Sequence, residues 1–171
     1  MKLREVVDSD HKFLLHLHND PEVLRNLTHP TPITRQQHLN WWETIKNNPN
    51  EIRLIFEVGD ETNCYNRVGF TKFYYIDHVN SNCVLGADIH KDFRGKGLAK
   101  FMWTLMLNKC FDELKLHRAS LSTASYNTIG QRVYTNLGFK EEGRSIDAIY
   151  RDGSYHDSVC MYLLRDTWVQ T

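Results

Sequence analysis

The densest chemistry in the chain lies in Ile89-His90-Lys91-Asp92-Phe93-Arg94-Gly95-Lys96-Gly97-Leu98-Ala99. An alternating apolar run ends there, two glycines follow, and a helical period begins. Glycine lets backbone N–H groups approach a ligand closely, and a helix start adds unpaired donors and a positive dipole end. Lys91, Arg94, Lys96 and Lys100 add positive charge against Asp92 alone. These features suit a phosphorylated ligand, although the same pattern also reads as a plain basic turn before a helix. The segment is neither a Walker A loop nor a GxGxxG fingerprint. One strand later, Asn127, Tyr134, Gly138 and Phe139 form a second group, N-x6-Y-x3-GF.

Periodicity predicts the elements that hold these segments. Lys2 to Val7 reads as a short strand, and Asp8 or Ser9 caps a helix carrying Phe13, Leu14 and Leu17. Pro21 opens a second short helix through Leu27, and the capping box Thr34-x-x-Gln37 opens a third to about Lys46. The period then becomes two, with strands over 51–58, 67–77 and 83–90 and a turn from Gly59 to Asn66. A helix runs from Gly97 to about Leu114, with Leu98, Phe101, Met102, Leu105 and Met106 on one side. A strand at 117–122, a helix from Asn127 to Asn136 and a hairpin over 139–150 and 154–164 follow, the hairpin turning at Asp152-Gly153. The order β-α-α-α-β-β-β-α-β-α-β-β predicts an α/β (α+β) fold with a mixed, mostly antiparallel sheet. Without repeats, linkers or low-complexity tracts, residues 1–171 read as one domain.

Composition narrows the function classes. Hydrophobic residues at 41% and charged residues at 25% describe a folded chain rather than a disordered one. Lys+Arg 21 against Asp+Glu 21 gives no net charge, which argues against bulk nucleic-acid binding. The longest clean apolar run, Val159 to Leu164, is far short of a membrane span, and acids stand in the N-terminal MKLREVVDSD where a signal peptide needs an apolar stretch. The expectation is a soluble cytoplasmic protein with no membrane partner. Cysteines 64, 83, 110 and 160 form no CxxC pair and read as reduced, partly buried thiols. His16 and His18 point to different sides of a helix, and HExxH and i,i+4 histidine pairs do not occur, so no metal site is expected.

Taken in this strand and helix order, the two segments resemble the GCN5-related N-acetyltransferase (GNAT) superfamily. Arg94-x-x-Gly97-x-Ala99 matches that family's [QR]-x-x-G-x-[GA] loop, and Asn127, Tyr134, Gly138 and Phe139 match its N…Y…GF helix. Leu3-Arg4 resembles its opening strand, and Asp152-Gly153-Ser154-Tyr155-x-Asp157 a common final hairpin. The resemblance implies acetyl-CoA as cosubstrate, with its pyrophosphate on Arg94, Gly95, Lys96, Gly97, Leu98 and Ala99. It implies that the strand around Ala87 to Ile89 splays from its neighbour, so that its backbone, Ile89 included, pairs with the pantetheine arm and polarises the thioester. Asn127 is implied to bond the pantetheine region, and it also suits a helix cap. Tyr134 matches the tyrosine that protonates the departing thiolate; its plain reading is a core residue beside Leu137 and Phe139. Some relatives carry a glutamate on the strand before the asparagine, but Ala119-Ser120-Leu121-Ser122-Thr123 has no carboxylate. Asp88 and His90 share a strand face, and either could take the amine's proton, directly or through water. Asp88 also reads as a strand-end acceptor, and His90 as solvent-facing.

Acceptor choice falls to the early helices and the last hairpin. His38, Trp41 and Trp42 could stack on a base or sugar, or one tryptophan could simply sit in the core and the other on its rim. The pattern Thr34-x-x-x-His38-x-x-Trp41 favours, by resemblance, a nucleotide-linked 4-amino-4,6-dideoxy sugar. The alternative is a protein N-terminus, as in ribosomal-type enzymes, or another small amine; a non-catalytic acyl-CoA-binding module is a further reading. A monomer or homodimer is expected.

Overall fold

The period-two segments build one seven-stranded sheet in the order β1-β2-β3-β4-β5-β7-β6. The computed structural model describes residues 1–27, 29–59 and 64–168. The strands are β1 (Lys2–Glu5), β2 (Ile52–Gly59), β3 (Tyr65–Asp77), β4 (Asn82–Ile89), β5 (Arg118–Ala124), β6 (Lys140–Arg151) and β7 (Ser154–Leu164). The helices are α1 (His11–His18), α2 (Pro21–Asn26), α3 (Arg35–Ile45), α4 (Leu98–Asn108) and α5 (Thr128–Asn136). The order is the expected one, and every neighbouring strand pair is antiparallel except β4–β5. Of the expected Gly59–Asn66 turn, residues 60–63 lie outside the described residues. Gly59 and Tyr65 already pair across the ends of β2 and β3.

Local signals account for most boundaries. Thr34 and Gln37 close the capping box on α3, and Asp20 caps α2 through the N–H groups of Glu22 and Val23. The hairpin turns at Asp152 and Gly153 with φ of 51° and 81°, the left-handed pair that a tight two-residue loop needs. The first helix departs from expectation. Asp10, fully buried, accepts from the Val7 N–H at 2.9 Å and from the Arg4 guanidinium at 2.6 and 2.9 Å. This ends β1 at Glu5 and starts the helix at His11, after a short 3-10 turn, rather than from an Asp8 or Ser9 cap.

The sheet has a core on each face. One packs Met102, Trp103, Met106 and Leu107 of α4 against Phe56, Val68, Leu85 and Leu121. Phe101, expected on that buried side, is exposed, because the buried stripe is turned toward Trp103 and Leu107. The other core packs Leu14 and Leu17 of α1 and Val23 of α2 against Ile55 and Phe70. Strand alternation therefore divides β4. Leu85, Ala87 and Ile89 belong to the α4 side, and Asp88, opposite Phe70 in register, faces α1.

Candidate active site

β4 and β5 pair only over Asn82–Val84 and Arg118–Ser120. Beyond that, β4 stays with β3 to Ile89, and β5 stays with β7 to Ala124. The two neighbours part after Val84, leaving a wedge with unladdered backbone on the β4 side. This is the splay expected just before the glycine loop. At its start Gly86 lies under the Tyr74 hydroxyl, which would be 2.7 Å from an added Cβ, so only glycine lets the two approach.

The loop itself is built for backbone donation. The His90 N–H bonds Val68 O at 2.9 Å, and the N–H groups of Phe93 and Arg94 close a tight turn on His90 and Lys91. Gly95 and Gly97 then adopt φ of +72° and +73°, and no heavy atom lies within 4 Å of where a Cβ would stand on either. Gly97 is the N-cap of α4, and no side chain caps that helix. The first N–H groups of α4 thus lack a side-chain cap, and the surface at Gly95 and Gly97 beside this positive helix end is open. Lys96 is exposed, with its ammonium 5.3 Å above the Phe93 ring, and Leu98 packs on the core.

Arg94 has a different setting from its loop neighbours. Its Nε donates to Ile89 O at 2.9 Å, and its guanidinium reaches Asp20 at 2.8 Å and also Glu22. Burial pushes the Asp20 carboxyl up, but Arg94 and the capping N–H groups hold it below its ordinary range. The structure therefore places the Arg94 side chain between the loop and α2. Asn127 is the N-cap of α5. It accepts from the Gly130 N–H at 3.1 Å and donates to Thr123 Oγ1 at 2.9 Å.

Tyr134 lies edge-on to Trp103, with ring centroids 4.9 Å apart. Burial raises its hydroxyl pKa, and the fields of Asp88 and Tyr74 add to the rise. It is thus a protonated donor across the neutral range, within electrostatic reach of Asp88 although 46 residues away in sequence. Asp88 and His90 part company. Asp88 pairs with Lys72 Nζ at 2.5 Å and faces a cavity of about 320 Å³. His90 stacks on Phe13 at 5.8 Å, and its Nδ1 lies 3.6 Å from the Asp92 carboxylate, outside that cavity's lining.

The cavity lies between α1–α3 and the sheet. Leu14, Leu17, Phe70 and Trp41 form apolar walls, and His18, His38, Arg53, Lys72 and Asp88 contribute polar groups. His38 is 2% exposed, with Nε2 3.0 Å from His11 Nδ1. Burial, with the neighbouring His11 and His18, lowers its pKa to about 4, so it is neutral near pH 7. Trp41 and Trp42 do not form one platform. Adjacent helical residues point about 100° apart. Trp41 lines the cavity, whereas Trp42 meets His11 and lines a separate groove beside β1. Arg53 and Lys72 escaped the sequence reading. Their only signal is a cation alternating with Ile55 and Phe70 at inward strand positions.

The space between the early helices and the hairpin is bridged. Arg25 donates to Asp152 at 3.0 and 2.8 Å, and the Tyr126 hydroxyl donates to Arg25 O at 2.6 Å. Arg151 donates to the carbonyls of Arg25 and Leu27. No cluster of three or more metal-ligating side chains occurs among the described residues, and no described helix is long and apolar enough to cross a membrane.

Comparison with known proteins matches residues 1–140 to the acetyltransferase (GNAT) domain family. YdaF of Bacillus subtilis, named for a ribosomal N-acetyltransferase activity, is 33% identical over 58% of this chain; the match spans 55% of YdaF, about half its length. The spermidine N(1)-acetyltransferase of Vibrio cholerae is 27% identical over 70% of this chain and 66% of its own. The crystal structure of a spermidine N-acetyltransferase from Vibrio cholerae, in complex with CoA and spermine, superposes with a TM-score of 0.88 at 23% identity, covering 96% of this chain and 95% of that one. At that identity the superposition speaks for the fold.

Proposed function

The chain belongs to the GNAT acetyltransferase family, with acetyl-CoA as cosubstrate, and from that premise we propose that it acetylates a small primary amine by direct transfer. The observation that carries this reading is the β4–β5 wedge, which has open loop donors at one end and Asp88 facing a small cavity beside it. The loop N–H groups of residues 95–99 would receive the pyrophosphate, and β4 beyond Val84 the pantetheine arm. The amine attacks the thioester carbon; the N–C bond forms and the C–S bond breaks. Backbone donors of the wedge hold the oxygen that gains charge in between. Asp88 takes the ammonium proton, directly or through water, and Tyr134 donates to the departing sulfur. A buried phenol is a weak acid, so its contribution is a hydrogen bond that strengthens as the thiolate forms. Asn127 and Arg94 act by holding α5 and the loop in place.

Several observations favour a small amine over the larger acceptors. A cavity of about 320 Å³ is at the low end for ligand sites, small for a nucleotide-linked sugar. Trp42, one of the two rings on which the amino-sugar expectation rested, faces away from it. The Arg25–Asp152 pair joins α2 to the final hairpin, where an extended protein N-terminus would need an open groove. Relatives named for spermidine acetylation point to small amines as well. The test is CoA release from acetyl-CoA with small amines, peptides bearing free N-termini and amino sugars as acceptors. Turnover of small amines alone is expected; turnover of peptides or amino sugars alone overturns the proposal.

A further inference from the structure

Resting on that reading of the site, we propose that Lys72 is a specificity-determining residue. Its ammonium occupies the carboxylate of the acceptor cavity and so excludes amines that carry further positive charges.

Asp88 is the one acid among the described residues lining the cavity, and Lys72 Nζ is already 2.5 Å from it. The two side chains are 18% and 20% exposed, so water screens the pair poorly. The register makes this pairing a property of the sheet. Phe70 lies opposite Asp88, and Lys72 is two residues along the same face of β3, directly opposite Gly86.

The next cation is Arg53, paired with Lys72 across β2 and β3. Its guanidinium donates to Phe73 O at 2.8 Å and meets Glu51, which does not line the cavity. With His38 neutral, the lining presents two fixed cations and one anion, set in apolar walls. A polyamine would bring two or more ammonium groups into this space, where the one carboxylate is already shared between Lys72 and the reacting amine and a further ammonium has no counter-charge. Like charges juxtaposed in a partly desolvated site are strongly disfavoured. The fitting acceptor is a monoamine with an apolar body, its other polar group neutral or anionic and directed toward Arg53. On this point the chain parts from the relatives named for spermidine.

The test compares phenethylamine, phenylalanine and spermidine as acceptors for the wild type, Lys72→Met and Lys72→Arg, measured as CoA release. The wild type should favour a monoamine over spermidine in kcat/KM by about tenfold or more. Lys72→Met should move that ratio toward spermidine by about tenfold, while Lys72→Arg, which keeps the cation, should leave the preference in place. Melting temperatures with and without acetyl-CoA establish that each variant folds and binds its cosubstrate. Spermidine preferred by the wild type, or an unmoved ratio in a folded Lys72→Met, overturns the inference. If Lys72→Met loses all turnover, the wild-type ratio decides. A wild type that binds acetyl-CoA and acetylates no amine overturns the transfer reading itself.

Discussion

The proposed cosubstrate side of the wedge and the proposed acceptor side are built from different materials. The first runs through two short stretches of chain, β4 into the loop and α4, and β5 into α5. Its working groups are backbone N–H donors, shaped by glycines at positive φ and by a strand that loses its neighbour. The second gathers side chains from α1, α3, β2, β3 and β4 around one cavity, with only His38 and Trp41 sharing a short sequence pattern. Backbone recognition needs particular residues at particular spacings, because glycine adopts the required dihedrals at the least cost and leaves no side chain over the donors. A side-chain cavity needs only that polar groups arrive at one place, by whatever route the fold provides.

The largest effect should come from breaking the backbone side. Gly97→Val places a β-branched residue at φ +73°, a strain of roughly 1–3 kcal/mol, and puts a side chain in open space beside the loop donors. Acetyl-CoA should no longer raise the melting temperature of this variant. Undiminished cosubstrate affinity would remove the loop from the site.

Tyr134→Phe tests the junction of the two sides. Its ring contacts with Trp103 and Phe139 remain and only the hydroxyl is lost. Turnover should fall about 100-fold, with acetyl-CoA affinity nearly unchanged. Equal turnover, with chemistry rate-limiting, would return the residue to a packing role.

The acceptor side is sharpened by the two tryptophans. Trp41→Ala should raise the acceptor KM about tenfold while leaving the acetyl-CoA KM alone, since it touches one substrate only. Trp42→Ala should shift neither, because its ring lines the other groove. Equal effects from both would mean that the cavity is not the acceptor site.

The smallest effect is a pH slope in stability. His38 has its pKa lowered to about 4 by burial and by its histidine neighbours, below the ordinary 6.5. Between those values the unfolded chain binds a proton that the folded chain does not, so stability should fall as pH drops from about 6.5 toward 4. Asp10 and Asp20, both lowered, add their losses below the ordinary carboxylate range. Urea unfolding across this range should show the first slope in the wild type and a flatter one in His38→Gln. An equal slope in both would place the titration elsewhere.

What could be read from the chain alone follows the same division. Element order, the α3 capping box, the hairpin turn and the glycine loop were legible, because each depends on residues within a few positions of one another; the splay before the loop was implied by the family resemblance alone. The α1 start was not, since Asp10 is committed to Arg4 and Val7 and, through a 2.7 Å ion pair, to Arg67 on β3. Asp88 and His90 share a strand face in any reading of the sequence. Sheet register puts one beside Lys72, and only the packing of α1–α3 closes a cavity over it and sets the other against Phe13. Likewise Arg94 carries its motif position in the sequence, but its carboxylate partners on α2 lie more than seventy residues upstream. Spacing along the chain determines backbone conformation through local sterics and hydrogen bonds. Which charges meet across the fold is decided by strand register and by the helical layer closing on the sheet, and there the tertiary structure decided the contacts that spacing left open.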